Sequence, residues 1–315
     1  MVYNILELYS GIGGMHCAWT ESGLPGQIIT AVDVNTVANE VYKHNFPDIN
    51  LICRNIQSLT SKEIEKLDVN VILMSPPCQP FSRNGKYLDN NDPRANSFLY
   101  LIGILPELHN IEYILMENVK GFENSTVRNQ FVEKLKQCNF IFQEFLLCPM
   151  SIGVPNSRLR YYCIAQKNNS SWNFKRKDDI MLSLPKDYEE PYSINSILET
   201  DVPEKYLVPQ KLLKRANIFD ICHRDSRRSC CFTKAYSHYI EGAGSFYTDA
   251  SPATIKETIE KANSYELGND EFIHTISELK LRYFTPKEVL ALMTFPKTYS
   301  LPKTVTTKQC YSISM

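Results

Sequence analysis

A thiol held in a run of prolines is the group in this chain best suited to attack another molecule. It is Cys78, in Ser75-Pro76-Pro77-Cys78-Gln79-Pro80-Phe81. A nucleophilic cysteine must lose its proton and have its approach fixed, and proline rings restrict the backbone that carries it. A cysteine serving only as a small apolar side chain would gain little from such a loop. Glu117, in Glu117-Asn118-Val119, offers a carboxyl that can hydrogen-bond a heterocyclic base and protonate it. Its plain alternative is a helix-capping or surface glutamate. Arg158 and Arg160, spaced i, i+2 at the start of a strand, would point the same way and could hold a carbonyl or a phosphate. The alternative there is a solvated pair at a strand edge. Tyr9-Ser10-Gly11-Ile12-Gly13-Gly14 lets the backbone approach a ligand, and the helix it opens presents free N–H groups to a carboxylate or phosphate. A plain tight turn would read the same way. Asp33 follows about 20 residues later, where an acidic side chain takes a ribose diol, although it could also cap the next helix. Arg224-Asp225-Ser226-Arg227-Arg228, with Phe232 and Lys234, fits a surface for phosphates and bases; the alternative is a solvated charge run.

The fold must deliver these groups together. Asn4–Leu8, Gln27–Val32, Val69–Met74, Tyr113–Met116, Phe142–Leu147 and Arg160–Ala165 read as strands. Helices are predicted near Met15–Ser22, over Thr36–Asn45, Asn96–Leu108 and Val127–Gln137, and from Thr285-Pro286 within Leu281–Pro296. Strands alternating with helices predict a wound α/β sheet, whose ligands bind at the carboxyl ends of the strands. Ser10–Gly14, Asp33, Ser75–Cys78 and Glu117 all fall there. The alternation stops after about Gln166. Asn168–Asp179 reads as an exposed linker, and a second, smaller domain is expected beyond it.

Composition limits the alternatives. The chain has 315 residues, 43% hydrophobic, and a formal net charge of −1, so nucleic-acid binding would need local basic patches. No apolar run approaches the roughly 20 residues of a membrane span, and the start lacks a signal-peptide pattern. The cytoplasm or nucleus is the expected compartment. The ten cysteines are scattered and read as reduced thiols. No second Cys/His pair follows Cys230-Cys231 at finger spacing, so no metal site is expected.

The proline-cysteine segment, Glu117-Asn118-Val119 and Asn156-Ser157-Arg158-Leu159-Arg160, in that order, resemble the cytosine-5 methyltransferases. The glycine-rich opening and Arg282-Tyr283-Phe284-Thr285-Pro286-Lys287-Glu288 agree, and the resemblance runs from residue 4 to about 300. Cys231-Phe232-Thr233-Lys234-Ala235-Tyr236, with Glu241-Gly242-Ala243-Gly244-Ser245, is similar to the target-recognition region of the DNA-methyltransferase-like tRNA methyltransferases. Asp89–Ser97 is similar to their catalytic loop.

This resemblance implies a Rossmann-like S-adenosylmethionine-dependent α/β sheet with a smaller target-recognition domain. Residues 1–180 would form the catalytic cofactor-binding domain, 181–280 the target-recognition domain, and 281–315 a shortened return segment packing on the catalytic domain. It implies methylation of cytosine carbon 5 in aspartate tRNA, with DNA as the alternative substrate, and no obligate protein partner. Cys78 would attack ring carbon 6, Glu117 would support protonation at ring nitrogen 3, and Arg158 and Arg160 would orient the base. Ser10, Ile12, Gly13 and Gly14 would hold the methionine part of the cofactor, Asp33 its ribose, and Ile56, Gln57 and Ser75 its adenine. S-adenosylhomocysteine would be the product. Arg227, Arg228, Phe232 and Lys234 would contact the nucleic acid. Where relatives carry Asp-Ile against the adenine amine, this chain has Asn55-Ile56, whose amide carbonyl can accept the same hydrogen bond. The chain runs Thr307-Lys308-Gln309-Cys310-Tyr311-Ser312-Ile313-Ser314-Met315, without the family's Gly-Asn-Ser and final helix. Exposed apolar surface and weakened cofactor binding are the expected consequences, with a nucleic-acid-binding protein of low activity as the third reading.

Overall fold

The computed structural model describes residues 2–77, 96–167, 171–236 and 238–314. The chain divides into two compact units: Met1–Leu147 with Leu159–Lys186, and Cys148–Arg158 with Asp187–Met315.

The first unit is built on β1 (Tyr3–Leu8), β2 (Gly26–Asp33), β3 (Asn50–Cys53), β4 (Val71–Met74), β5 (Tyr113–Val119), β6 (Phe140–Leu147) and β7 (Arg160–Lys167). They form one sheet in the order β3-β2-β1-β4-β5-β7-β6. Neighbours from β3 through β5 are parallel, while β7 is antiparallel to both β5 and β6. Helices α1 (Gly14–Ser22), α2 (Thr36–Asn45), α3 (Ser61–Glu65), α4 (Asn96–Ile104) and α5 (Thr126–Gln137) belong to this unit. Successive residues of β1 enter different clusters, as strand geometry requires. Leu6 and Leu8 join Phe98, Leu101, Phe131 and Leu135 of α4 and α5, while Ile5 joins Tyr42 of α2. All of Val71–Met74 is buried, which is why this strand reads as a continuous apolar run. Strand order reverses between β1 and β4, so the carboxyl ends of these two strands flank the switch point.

The wound sheet and helix Thr36–Asn45 match the sequence expectation. Short edge strand β3 and helix α3 were not expected, although Thr60 and Glu63 form a capping box that starts α3. Strand β5 runs past Met116 because Glu117, Asn118 and Val119 pair with Tyr162, Tyr161 and Arg160. Glu117 therefore lies inside the strand instead of after it. Helix α4 stops at Ile104, and a turn at Leu105–Glu107 follows, with Pro106 at its start. In its described part the expected linker is largely exposed, as the sequence suggests, and two of its aromatic rings dock. Trp172 packs edge-on against Phe174, Phe174 contacts Phe145, and Arg176 donates to the Phe142 carbonyl at 2.8 Å.

In the second unit, β8 (Asp220–Cys222), β9 (Ser245–Tyr247) and β10 (Arg282–Tyr283) form a small sheet. It is accompanied by α6 (Gln210–Leu213), α7 (Pro252–Ala262), α8 (Asp270–Ser277), α9 (Pro286–Leu292) and α10 (Thr307–Ile313). Helix α9 begins as the sequence predicts: Thr285 caps it, and Glu288 completes a capping box. Residues of the 281–315 segment belong to this unit's own core, where Phe284, Val289, Leu292 and Tyr311 pack with Phe232, Tyr236 and Tyr247.

Candidate active site

The chain leaves β1 through a turn that most side chains would not tolerate. Gly11 and Gly13 have φ of +52° and +88°, and a Cβ on Gly13 would lie 2.6 Å from the Phe46 ring. Gly13 N–H donates to the Ser10 carbonyl at 2.8 Å, and α1 starts at Gly14. The Asp33 carboxylate, at the end of β2, accepts from Gly11 N–H and from Asn35 N–H, each at 2.8 Å. The cap of α2 is Asn35, whose side chain accepts from Val37 and Ala38 N–H. Asp33 is thus released from the capping role and joins the glycine turn to the neighbouring strand end. Val34, the next residue, is 66% exposed, an apolar side chain at this edge that sequence reasoning passed over.

Ile56 is buried in the main core beside Leu6 and Leu8. Asn55 accepts from Gln57 N–H at 3.0 Å and caps the short turn carrying both Ile56 and Gln57. Ser75 N–H continues the β1–β4 ladder to the Leu8 carbonyl at 3.4 Å. Next in the chain, the Pro76 carbonyl accepts from the Asn118 side-chain amide at 3.3 Å. Asn118 is 1% exposed, so this bond ties β5 to the proline segment inside the protein. Cys78 and Asp89–Arg94 lie outside the described residues. Ser97, at the end of that similarity, accepts from the Tyr9 hydroxyl at 3.2 Å.

Glu117 and Arg160 come together as an ion pair, Oε1 to Nε 3.4 Å, across β5 and β7. Arg158 does not share that arrangement. Strand β7 begins only at Arg160, so the i, i+2 rule of a strand does not apply. Within the second unit, Arg158 donates to the Phe232 carbonyl at 3.3 Å, with its guanidinium 3.7 Å from the Cys231 sulfur.

Phe232 needs a second correction. It is 0% exposed and packs edge-on against Tyr236 and Phe284, so its ring is core instead of a stacking platform for a base. The nearby cations divide by partner. Arg228 pairs with Asp220 at 2.7 Å, and Arg227 donates to the Pro191 carbonyl at 2.7 Å. Burial raises the Asp220 carboxyl, but hydrogen bonds from Ser245 and Arg228 outweigh it and hold the group below its usual range. Lys234 is exposed.

Burial raises the thiols of Cys17 and Cys222 to about 12, and those of Cys138, Cys163, Cys230 and Cys310 also move up. These are thiols held protonated, unlike an activated nucleophile. Among the described residues, no group of three or more His, Cys, Asp or Glu gathers as metal ligands would. No described helix is long and apolar enough to cross a membrane.

The residues at the β1 turn fit the donor that the resemblance implies. Among the described residues, the buried Ser10 Oγ has no hydrogen-bond partner and a Cβ on Gly11 would meet nothing within 4 Å. A hydroxyl without a described partner at a helix start suits a polar ligand carrying a carboxylate. Asp33, whose oxygens keep free lone pairs, suits a diol.

Residues 3–314 match the family described as C-5 cytosine-specific DNA methylase. The chain is 64% identical to the Spodoptera frugiperda tRNA (cytosine(38)-C(5))-methyltransferase, over 99% of this chain and 94% of that protein. It is 36% identical to a Dictyostelium discoideum DNA (cytosine-5)-methyltransferase, over 98% and 89% of the two chains. The crystal structure of a Spodoptera frugiperda DNMT2 mutant superimposes with a TM-score of 0.93 at 64% identity, covering 99% of this chain and 94% of that one.

Proposed function

The chain belongs to the C-5 cytosine-specific DNA methylases, and from that premise we propose that it methylates carbon 5 of a cytosine in the anticodon loop of aspartate tRNA. S-adenosylmethionine is the proposed donor and S-adenosylhomocysteine the product. The edge shared by Ser10, Gly11, Gly13 and Asp33 carries the cofactor assignment. The 64% identity with a protein named for tRNA carries the substrate assignment.

When bound, the donor supplies a methyl group on a positively charged sulfur. Ser10, Ile12, Gly13 and Gly14 would hold its methionine part, Asp33 its ribose, and Ile56, Gln57 and Ser75 its adenine. The target base leaves its stack, as base-modifying chemistry requires. The Cys78 thiolate bonds to ring carbon 6 while Glu117 hydrogen-bonds ring nitrogen 3, so carbon 5 becomes nucleophilic. Once carbon 5 carries the methyl group, loss of its proton expels the thiolate. Arg160 fixes the Glu117 carboxyl for this task. Asn118 anchors the segment leading to Cys78 through the Pro76 carbonyl. The first unit is assigned to cofactor and chemistry, and the second to the nucleic acid, through Arg158, Arg227, Arg228 and Lys234. The cytoplasm and nucleus, where tRNA is made and used, are the proposed locations.

Transfer of radiolabelled methyl groups to tRNA and to duplex DNA tests the reading. Label is expected in tRNA and none with Cys78→Ala. Label in DNA alone would favour the second reading, a DNA cytosine-5 methyltransferase, which the 36% identity with the Dictyostelium discoideum protein supports. Activity retained by Cys78→Ala would remove the covalent mechanism.

A further inference from the structure

Behind the glycine turn, Glu7 of β1, His16 of α1 and Tyr42 of α2 meet in the interior. Tyr42 Oη lies 2.7 Å from Glu7 Oε2 and 2.8 Å from His16 Nδ1. Glu7 Oε1 accepts the His16 backbone N–H at 3.3 Å. The imidazole stacks on Phe46, with centroids 3.7 Å apart and planes 9° apart. Phe46 and Tyr42 are also the rings that a Cβ on Gly13 would strike, at 2.6 and 3.1 Å. The cluster therefore forms the wall against which the turn rests.

The free N–H groups of α1 show what this wall does. A helix start leaves its first N–H groups without intrahelical partners. Gly13 N–H is taken by the Ser10 carbonyl and His16 N–H by Glu7. Gly14 and Met15, the first two residues of α1, have no intrahelical acceptor for their N–H groups.

We infer that Glu7 is a positioning residue for the methyl donor: it holds the first turn of α1 through His16 N–H and Tyr42, and its protonation state sets the field that turn presents to the donor's carboxylate. This rests on the proposed cofactor. Burial raises the Glu7 carboxyl to about 8; hydrogen bonds from Tyr42 and His16 oppose the shift, and the Asp33 charge adds to it. Burial lowers His16 to about 4. Near neutral pH both groups are uncharged, and the helix start faces the ligand undiminished. The titratable groups facing Glu7 are His16 and Cys17 from α1, Tyr42 from α2 and Asp33 from β2. Above pH 8 an ionised Glu7 places a negative charge behind the turn and repels the bound carboxylate.

The test is calorimetry of S-adenosylhomocysteine binding to the full chain, Glu7→Gln and Tyr42→Phe between pH 6 and 9, with thermal melts of each unliganded protein. The ligand's own amino group also titrates on the alkaline side, but identically for every protein, so the difference between curves isolates Glu7. From pH 7 to 9 the wild-type chain is expected to lose about tenfold more affinity than Glu7→Gln. Tyr42→Phe removes a hydrogen bond that lowers the carboxyl, so its loss of affinity should move to higher pH. Parallel curves for wild type and Glu7→Gln would overturn the inference and leave the cofactor assignment standing. Absence of binding at pH 7 by the folded wild-type chain would overturn both.

Discussion

Glu7 of the first unit and Glu288 of the second are both buried, and they are treated in opposite ways. Glu7 is 2% exposed and meets a phenol, an imidazole and a backbone N–H. Glu288 is 0% exposed and meets the Arg282 guanidinium through both oxygens, at 2.7 and 2.8 Å, while also capping Thr285 N–H. Burying an ionised carboxylate is costly unless a cation and hydrogen bonds accompany it. Glu288 has that company and serves as a strut joining β10 to α9. Glu7 lacks a cation and keeps its proton instead. The guanidinium lets Glu288 tie two elements together, whereas Glu7, without one, is held by neutral partners.

Breaking the strut should have the largest effect. Arg282→Ala leaves Glu288 buried without its cation and should cost about 3–5 kcal/mol, seen as a lower denaturation midpoint. Glu7→Gln sharpens the contrast at intermediate size. Its folded pKa, about 8, lies above the ordinary 4.5. The native state therefore holds a proton that the unfolded chain has released, and stability is lost as pH rises toward and through 8. Between pH 4 and 6.5 the lowered His16 acts in the opposite sense, because the unfolded imidazole binds the proton more tightly. Above 6.5 only Glu7 remains of the two. Wild type should lose about 1–2 kcal/mol between pH 6.5 and 8, and Glu7→Gln should lack that loss in urea titrations. Asn118→Ala removes the buried hydrogen bond to the Pro76 carbonyl and the side-chain acceptor of Val119 N–H, together about 1–2 kcal/mol, and should lower the methylation rate more than donor affinity. The smallest change in stability belongs to the exposed cations. Arg227→Ala and Lys234→Ala should each leave stability within about 0.5 kcal/mol and reduce the salt dependence of tRNA binding by about one phosphate contact. An unchanged salt slope would remove these residues from the nucleic-acid face.

Much of the first unit was legible because its signals are local. The apolar runs at β1, β2 and β4, and the glycines after β1, act through neighbouring residues. Strand β3, Asn50–Cys53, gave no such signal because it has four residues, its ends are exposed and it lies at the edge of the sheet. The end of β5 was misread because its last residues are held by antiparallel pairing with β7, a non-local cause. The second unit was harder to read. Its aromatic residues look like a nucleic-acid face in one dimension, yet Phe232 and Tyr236 are spent on the core. A clue to Glu7 was present: a carboxyl inside the apolar strand Tyr3–Leu8. Its partners could not be read from that strand, because Tyr42 lies 35 residues away.

The sequence by itself determined the alternation that winds the sheet, the glycine turn at its switch point and the types of groups collected at that edge. These follow from periodicity and backbone freedom over a few residues. Tertiary structure alone decided which carboxyl keeps its proton, that Asp33 binds the glycine turn while Asn35 caps the helix, and that Arg160 joins Glu117 while Arg158 anchors elsewhere. Such outcomes depend on burial depth and on partners brought from distant parts of the chain, and no local pattern encodes either.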